Sequence, residues 1–262
     1  MTEYEAARLV LAVSGIGLAW TALRDLRTGG EFTGRGVLSW DLVGVGRLRR
    51  LPWLGRLMGW PGHRLVLAAQ LVAGLAAPVV AASPGAGSAV VACVLLTTVL
   101  LTVERTGYGL DGADQMVVLD LIAAAGTLVV GGVIGRLLLA FLSAQLLLSY
   151  TISGAAKLVS PVWRDGSCLA LILSTDSYGS PRLAATLRAR PALALAMAWF
   201  VIVLEVTFAG TLVLPAPALW CVLAAAFALH LGIAVTMGLV NFLFAFTAAY
   251  PALTYTISAY LH

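Results

Sequence analysis

The chain has 262 residues, of which 61% are hydrophobic and 11% charged, with a net charge of +4 and a mean hydropathy of +0.98. About a quarter of a soluble domain is charged, so these figures exclude an ordinary soluble fold, a disordered chain and a disulfide-stapled scaffold. The basic excess has no aromatic-interleaved patch on a soluble module, which excludes nucleic acid as a partner. Cys93, Cys168 and Cys221 stand singly with no CxxC or Cys/His spacing, so no metal or disulfide framework is expected.

A membrane-spanning helix needs roughly 20 apolar residues. In chain order, candidate spans fall near 6–23, 65–82, 88–103, 117–135, 137–156, 192–214, 218–237 and 239–259. Glu3 and Glu5 before the first span replace the basic flank of a cleaved signal peptide. The stretch 42–64 mixes Trp53 and Trp60 with five arginines. It reads either as an amphipathic segment at the headgroup layer or as a topogenic loop. A short PGAGS turn lies at 84–88. The fourth and fifth spans, and the last two, follow each other across glycines alone. Each joined pair is about 60 Å of helix, twice the hydrocarbon thickness, so each is expected to fold as a hairpin or to contain a re-entrant segment.

Charge bias sets the count. With eight spans, the connections 24–64, 104–116 and 157–191 share the cytoplasmic side and carry fourteen of the sixteen cations, leaving Arg8 and Arg136 opposite. Seven spans would move the cations of 157–191 outside. The expected fold is therefore a single all-α, polytopic membrane bundle of about eight transmembrane helices, with both termini extracytoplasmic.

Polar residues inside spans are costly and mark packing or function. Glu205, about 18 Å into the sixth span, and His230 in the seventh are expected to meet, as a proton couple or as a packing hydrogen bond. Before the fourth span, ERTGYGLDGADQMVVLD holds Arg105, Asp111, Asp114, Gln115 and Asp120. Asp111 reads as a helix cap or as part of a carboxylate site with Asp114 and Asp120. The third cluster is YTISGAAKLVSPVWRDG, 150–166, with Tyr150, Trp163, Arg164 and Lys157, the only lysine of the chain. Lys157 reads as a snorkelling charge or as part of a shaped loop. No P-loop, Rossmann glycine pattern, DDxxD, HExxH or Gly-x-Ser-x-Gly occurs.

The run Y-x-x-S-G-A-A-K-L-x-x-x-x-W-R-D-G resembles the signature of the vitamin K-dependent γ-carboxylase-like superfamily, also called the horizontally transferred transmembrane (HTTM) domain. LDGADQ and ALHLGIAVTMGLVNF resemble its bacterial members, which include the sporulation-delaying protein B group, and Glu205 stands where that group has an intramembrane acid. The likeness covers roughly 105–245. It implies for Lys157 the candidacy of the base that deprotonates a reduced quinone. The lysine-to-tryptophan spacing is one residue longer here, the Asn-His segment of the carboxylases has no counterpart, and the chain ends at His262, before any counterpart of their large C-terminal domain. Their chemistry faces the lumen, whereas charge bias puts Lys157 inside. These departures point away from a quinol-dependent glutamate carboxylase.

Some bacterial members are thought to be terpene cyclases, and the resemblance extends to them. On that reading the chain is a lyase acting on an isoprenoid diphosphate. Asp111 and Asp114 would hold Mg²⁺, with Asp120, Lys157, Glu205 and His230 as catalytic candidates. Arg105, Gln115, Tyr150, Trp163, Arg164 and Asn241 would bind substrate, the arginines neutralising its head and the aromatic rings its carbocations. The alternative is a non-enzymatic membrane accessory protein for peptide toxin maturation or immunity. Partners implied by either reading are the bilayer and an amphiphilic small molecule or a membrane partner.

Overall fold

The computed structural model of the protein describes residues 1–33, 36–44, 46, 48–82, 88–107 and 109–261, and contains no strand among them. The described residues form fourteen α-helices, in chain order α1 Glu3–Arg27, α2 Trp40–Val43, α3 Pro52–Met58, α4 Gly62–Ala82, α5 Ser88–Arg105, α6 Gly112–Val129 and α7 Gly132–Val159. The rest are α8 Pro161–Arg164, α9 Ser167–Ile172, α10 Pro181–Ala189, α11 Pro191–Thr207, α12 Ala216–Met237, α13 Val240–Ala248 and α14 Tyr250–Tyr260. Seven segments among the described residues are long and apolar enough to cross a membrane: α1, α4, α6, α7, α11 with its 3₁₀ extension to Val213, α12, and α13 joined to α14. The all-α polytopic membrane fold is as expected.

The expected third span is α5, 18 residues or about 27 Å long. It packs along α4, and His63 at the start of α4 meets Glu104 at the end of α5 (3.0 Å, both side chains buried). The two helices are thus antiparallel, and α5 is the eighth helix of near-spanning length. The PGAGS turn, except Ser88, and Arg35 and Arg47 lie outside the described residues.

The chain forms two compact units, Met1–Leu139 and Ala140–His262, with the boundary inside α7. In the first unit α1 lies between α4 and α6. The small residues Gly15, Gly74 and Ala77 bring α1 and α4 backbone to backbone, the usual device where lipid provides no hydrophobic drive. The ends of these helices are pinned by charge. At one end Arg105 of α5 donates to Asp114 of α6 (2.8 Å) and to Asp25 of α1 (3.2 Å). At the other, Glu3 of α1 accepts from the Gly132 amide (2.8 Å) and faces Arg136 (3.5 Å). Arg105→Ala leaves two part-buried carboxylates without this bridge. A loss of about 2–3 kcal/mol is expected, read as a lowered melting temperature in detergent.

The fourth span starts earlier than hydropathy indicates, at Gly112 rather than 117, and ends at Val129. Asp111 and Asp114 form a reciprocal capping box that carries the helix past its apolar part (Asp114 N–H to Asp111, 2.8 Å). Gly131 and Gly132, at φ 60° and 58°, make the hairpin turn into α7.

In the second unit the segment 160–190 is a folded cap of three short helices. Pro161 and Pro181 sit in the first turns of α8 and α10, where a missing N–H costs nothing. The cap is fastened to the first half of α11: Ala170, Leu173, Ala184 and Leu187 bury against Ala194, and Trp199 donates to the Arg164 carbonyl (3.2 Å). Gly166 has φ 79°, and a side chain there would run into the Leu195 backbone. Asp165 accepts the Ser167 amide (2.8 Å), and the hydrogen bonds of the Ser167 side chain and backbone hold its carboxyl below the usual range. That support is present above the ordinary carboxylate pKa and lost as pH falls below it. Burial raises the Cys168 thiol, so it remains a protonated packing group.

Candidate functional site

The second unit is organised along one face of α7. Ser143, Tyr150 and Lys157 recur every seven residues, two helical turns, and each reaches a different later part of the chain. Ser143 bonds Thr256 of α14 (2.9 Å). Tyr150 bonds His230 Nε2 of α12 (2.8 Å) and Tyr250 of α14 (3.3 Å). Lys157 Nζ donates to Glu205 Oε2 of α11 (2.6 Å) and to Ser153 Oγ, one turn back on α7 (2.5 Å).

Glu205 lies fourteen residues into α11, about 21 Å from its start, yet it meets a lysine near the end of α7. The cap, folded back along α11, makes this possible. The helices touch at Gly154, where a Cβ would lie 2.6 Å from the Val206 nitrogen and 2.8 Å from the Glu205 carbonyl carbon. The resulting ion pair is largely buried, with side chains 18% and 9% exposed. The Lys157 ammonium also lies over the Trp163 ring, 5.2 Å from its centroid.

Lys157, Glu205 and Trp163 form part of the wall of a cavity of about 420 Å³. The rest of the wall is almost wholly apolar: Leu169, Ile172, Leu173, Leu183 and Leu187 from the cap, Met197, Phe200 and Val201 from α11, Leu229 and Ile233 from α12, and Phe242 from α13. The volume falls within the roughly 300–1,000 Å³ of small-molecule sites. Such a chamber accepts a hydrocarbon chain and presents one cation and one carboxylate to whatever polar group the chain carries.

The expected Glu205–His230 couple is corrected. Glu205 bonds Lys157, and His230 bonds Tyr150. A full ammonium satisfies a carboxylate better than an imidazole does, and Gly154 brings α7 close enough to supply it. His230 instead joins an aromatic group, stacked on Phe246 (4.6 Å) while Tyr150 stacks on Phe208 (3.9 Å). Its Nδ1 is buried without a hydrogen-bond partner among the described residues.

The other candidates disperse. Asp120 is fully buried in the first unit, against Ser14 of α1. Arg105 is held by its two carboxylates, and Gln115 is exposed in the first turn of α6. Arg164 is an exposed cap residue whose carbonyl receives Trp199. Asn241 lies half-buried in the first turn of α13 with a polar interaction of its own. Asp111 and Asp114 do not fit a Mg²⁺ site as they stand: they cap α6 reciprocally, and Asp114 also receives Arg105. Among the described residues no three His, Cys, Asp or Glu side chains converge. Asp114 belongs to the first unit and Lys157 to the second, so the joint site expected of them is not formed within either.

Ser153, Gly154 and Tyr250 were not among the expected site residues. Ser153 was detectable, because a serine four residues before a lysine shares its helix face. Comparison of the chain with protein-family models, curated proteins and solved structures returned no match in any of the three.

Proposed function

We propose that the chain is an enzyme of the bacterial cell membrane that binds an isoprenoid amphiphile in the cavity of the second unit and acts at its head group through Lys157 and Glu205. The observation that carries this reading is a single ion pair set into an otherwise apolar chamber. Hydrocarbon lining selects a chain, and a lone ammonium selects an anionic head. The arginine bias puts the cap and the 24–64 and 104–116 connections on the cytoplasmic side and both termini outside. Asp25, Arg105 and Asp114 share one end of the first unit and Glu3 and Arg136 the other, which supports placing the 24–64 and 104–116 connections on one side.

For a prenyl diphosphate, the anionic head competes with Glu205 for Lys157. Lys157 then stabilises charge on the leaving group as the allylic C–O bond breaks and its electron pair departs with the diphosphate. Glu205, released from its cation, is placed to take a proton from the carbon adjacent to the resulting allylic cation. The C–H electrons form the new double bond, and Trp163, Phe200 and Phe242 offer ring faces to the cation. No step is assigned to a protein-held metal.

The test is turnover of farnesyl and geranylgeranyl diphosphate by purified protein in nanodiscs with Mg²⁺ in solution, followed by gas chromatography of the hydrocarbon fraction. Hydrocarbon products that disappear in Lys157→Met are expected. Tight prenyl binding without turnover would overturn the enzymatic part in favour of the accessory reading, and failure to bind either substrate would overturn both.

A further inference from the structure

We propose that the cavity fills from within the bilayer, through the seam between α11 and α12, so that its ligand is a membrane-dissolved amphiphile and not a solute of the aqueous phase. This rests on the reading of the cavity as a ligand site. The exposed lining residues lie on α11 and α12, within the two apolar runs long enough to cross a membrane. Met197 and Phe200 of α11 are 39% and 49% exposed, and Ala228 and Gly232 of α12 are exposed too. At 1.5 Å per residue they stand about 8–14 Å inside the adjoining ends of the two helices, within the run that crosses hydrocarbon.

Gly232 is the informative residue. It has ordinary helical geometry, and a side chain at its position would meet no atom within 4 Å. Neither a turn nor close packing requires a glycine there, and glycine is a poor residue for a helix interior. What its missing side chain does provide is width at the seam. Polarity is suppressed there as well: the Thr236 hydroxyl bonds its own helix at the Gly232 carbonyl (2.7 Å), leaving no unsatisfied group facing the lipid.

The cap lies over the opposite side. It covers the cavity with its own packed cluster, Leu173 and Leu187 burying against Ala194, and Gly166 sits directly on the Leu195 backbone. A ligand coming from water would have to break that cluster, whereas one from the bilayer passes between apolar side chains and a glycine.

The experiment uses the full chain in nanodiscs with two photoreactive probes, a benzophenone-bearing prenyl diphosphate and a diazirine-bearing straight-chain alkyl phosphate. Labelling of the cavity peptides is followed in time by mass spectrometry. For Gly232→Trp, saturation with the prenyl probe is expected at least tenfold more slowly than in the wild type, with a final level within twofold. An unchanged rate, or a lowered final level at an unchanged rate, overturns the seam while leaving the isoprenoid reading standing. Seam-dependent kinetics with the straight-chain probe, and no cavity labelling by the prenyl probe, support the seam and remove the isoprenoid. No labelling of the cavity by either probe overturns both.

Discussion

Lys157→Met and Glu205→Leu are each expected to lower stability by about 3–5 kcal/mol, while the double variant recovers most of that loss and remains inactive. Each single change strands a mostly buried charge, because the two side chains are only 18% and 9% exposed and bond each other at 2.6 Å. Removing both leaves apolar groups in an apolar wall. Ser153, the other partner of Lys157, is a neutral hydroxyl, so losing the ammonium strands no charge there. Melting curves in detergent for the four members of this cycle, alongside prenyl diphosphate turnover, read the two quantities separately. A double variant whose loss equals the sum of the two single losses would show that the pair is not coupled. Recovered activity in the double variant would show that the charges are structural.

Gly154→Ala is expected to damage both stability and activity although it adds a single methyl. The added carbon would stand 2.6 Å from the Val206 nitrogen and 2.8 Å from the Glu205 carbonyl carbon and Cβ, and backbone cannot rotate away as a side chain does. The helices must part, at a cost of about 1–3 kcal/mol. Parting them also displaces Glu205 from Lys157, and a misplacement of about 1 Å at a reacting group costs on the order of 100-fold in rate. Gly232→Ala is the matched control. It adds the same methyl where nothing lies within 4 Å, and it is expected to raise stability by up to about 1 kcal/mol through helix propensity alone. Comparable melting temperatures for the two variants would refute the close contact of α7 and α11.

The helices were legible because spanning requires long apolar runs, and those runs are unambiguous in this chain. Their ends were less so. The start of α6 is polar and is held by Asp111 and Asp114, so hydropathy placed it five residues late. The 157–191 connection reads as a cytoplasmic loop because the cap's helices are short, two of the three begin at prolines, and they owe their stability to packing on α11. Lys157 and Glu205 were each singled out, but not as partners. They lie 48 residues apart, and depth counted along each helix placed one at the membrane face and the other deep within it. Only the fold-back of the cap brings them level. For the same reason His230 was paired with the acid nearest in sequence logic rather than with Tyr150, 80 residues away.

The polar face of α7 has a consequence for how the chain is made. Lys157, Tyr150 and Ser143 leave the ribosome before the partners they reach on other helices, which follow at Glu205, His230, Tyr250 and Thr256. Until then α7 sits in the bilayer with its polar face unmet. Lysine is the group that tolerates the wait, because its stem is long and it stands near the end of the helix, where the ammonium reaches the headgroups. Arrival of α11 offers it a carboxylate and draws it inward. The later helices then complete the hydroxyl and imidazole contacts in turn. The order of biogenesis is thus written along a single helix face, with the most expensive group satisfied first.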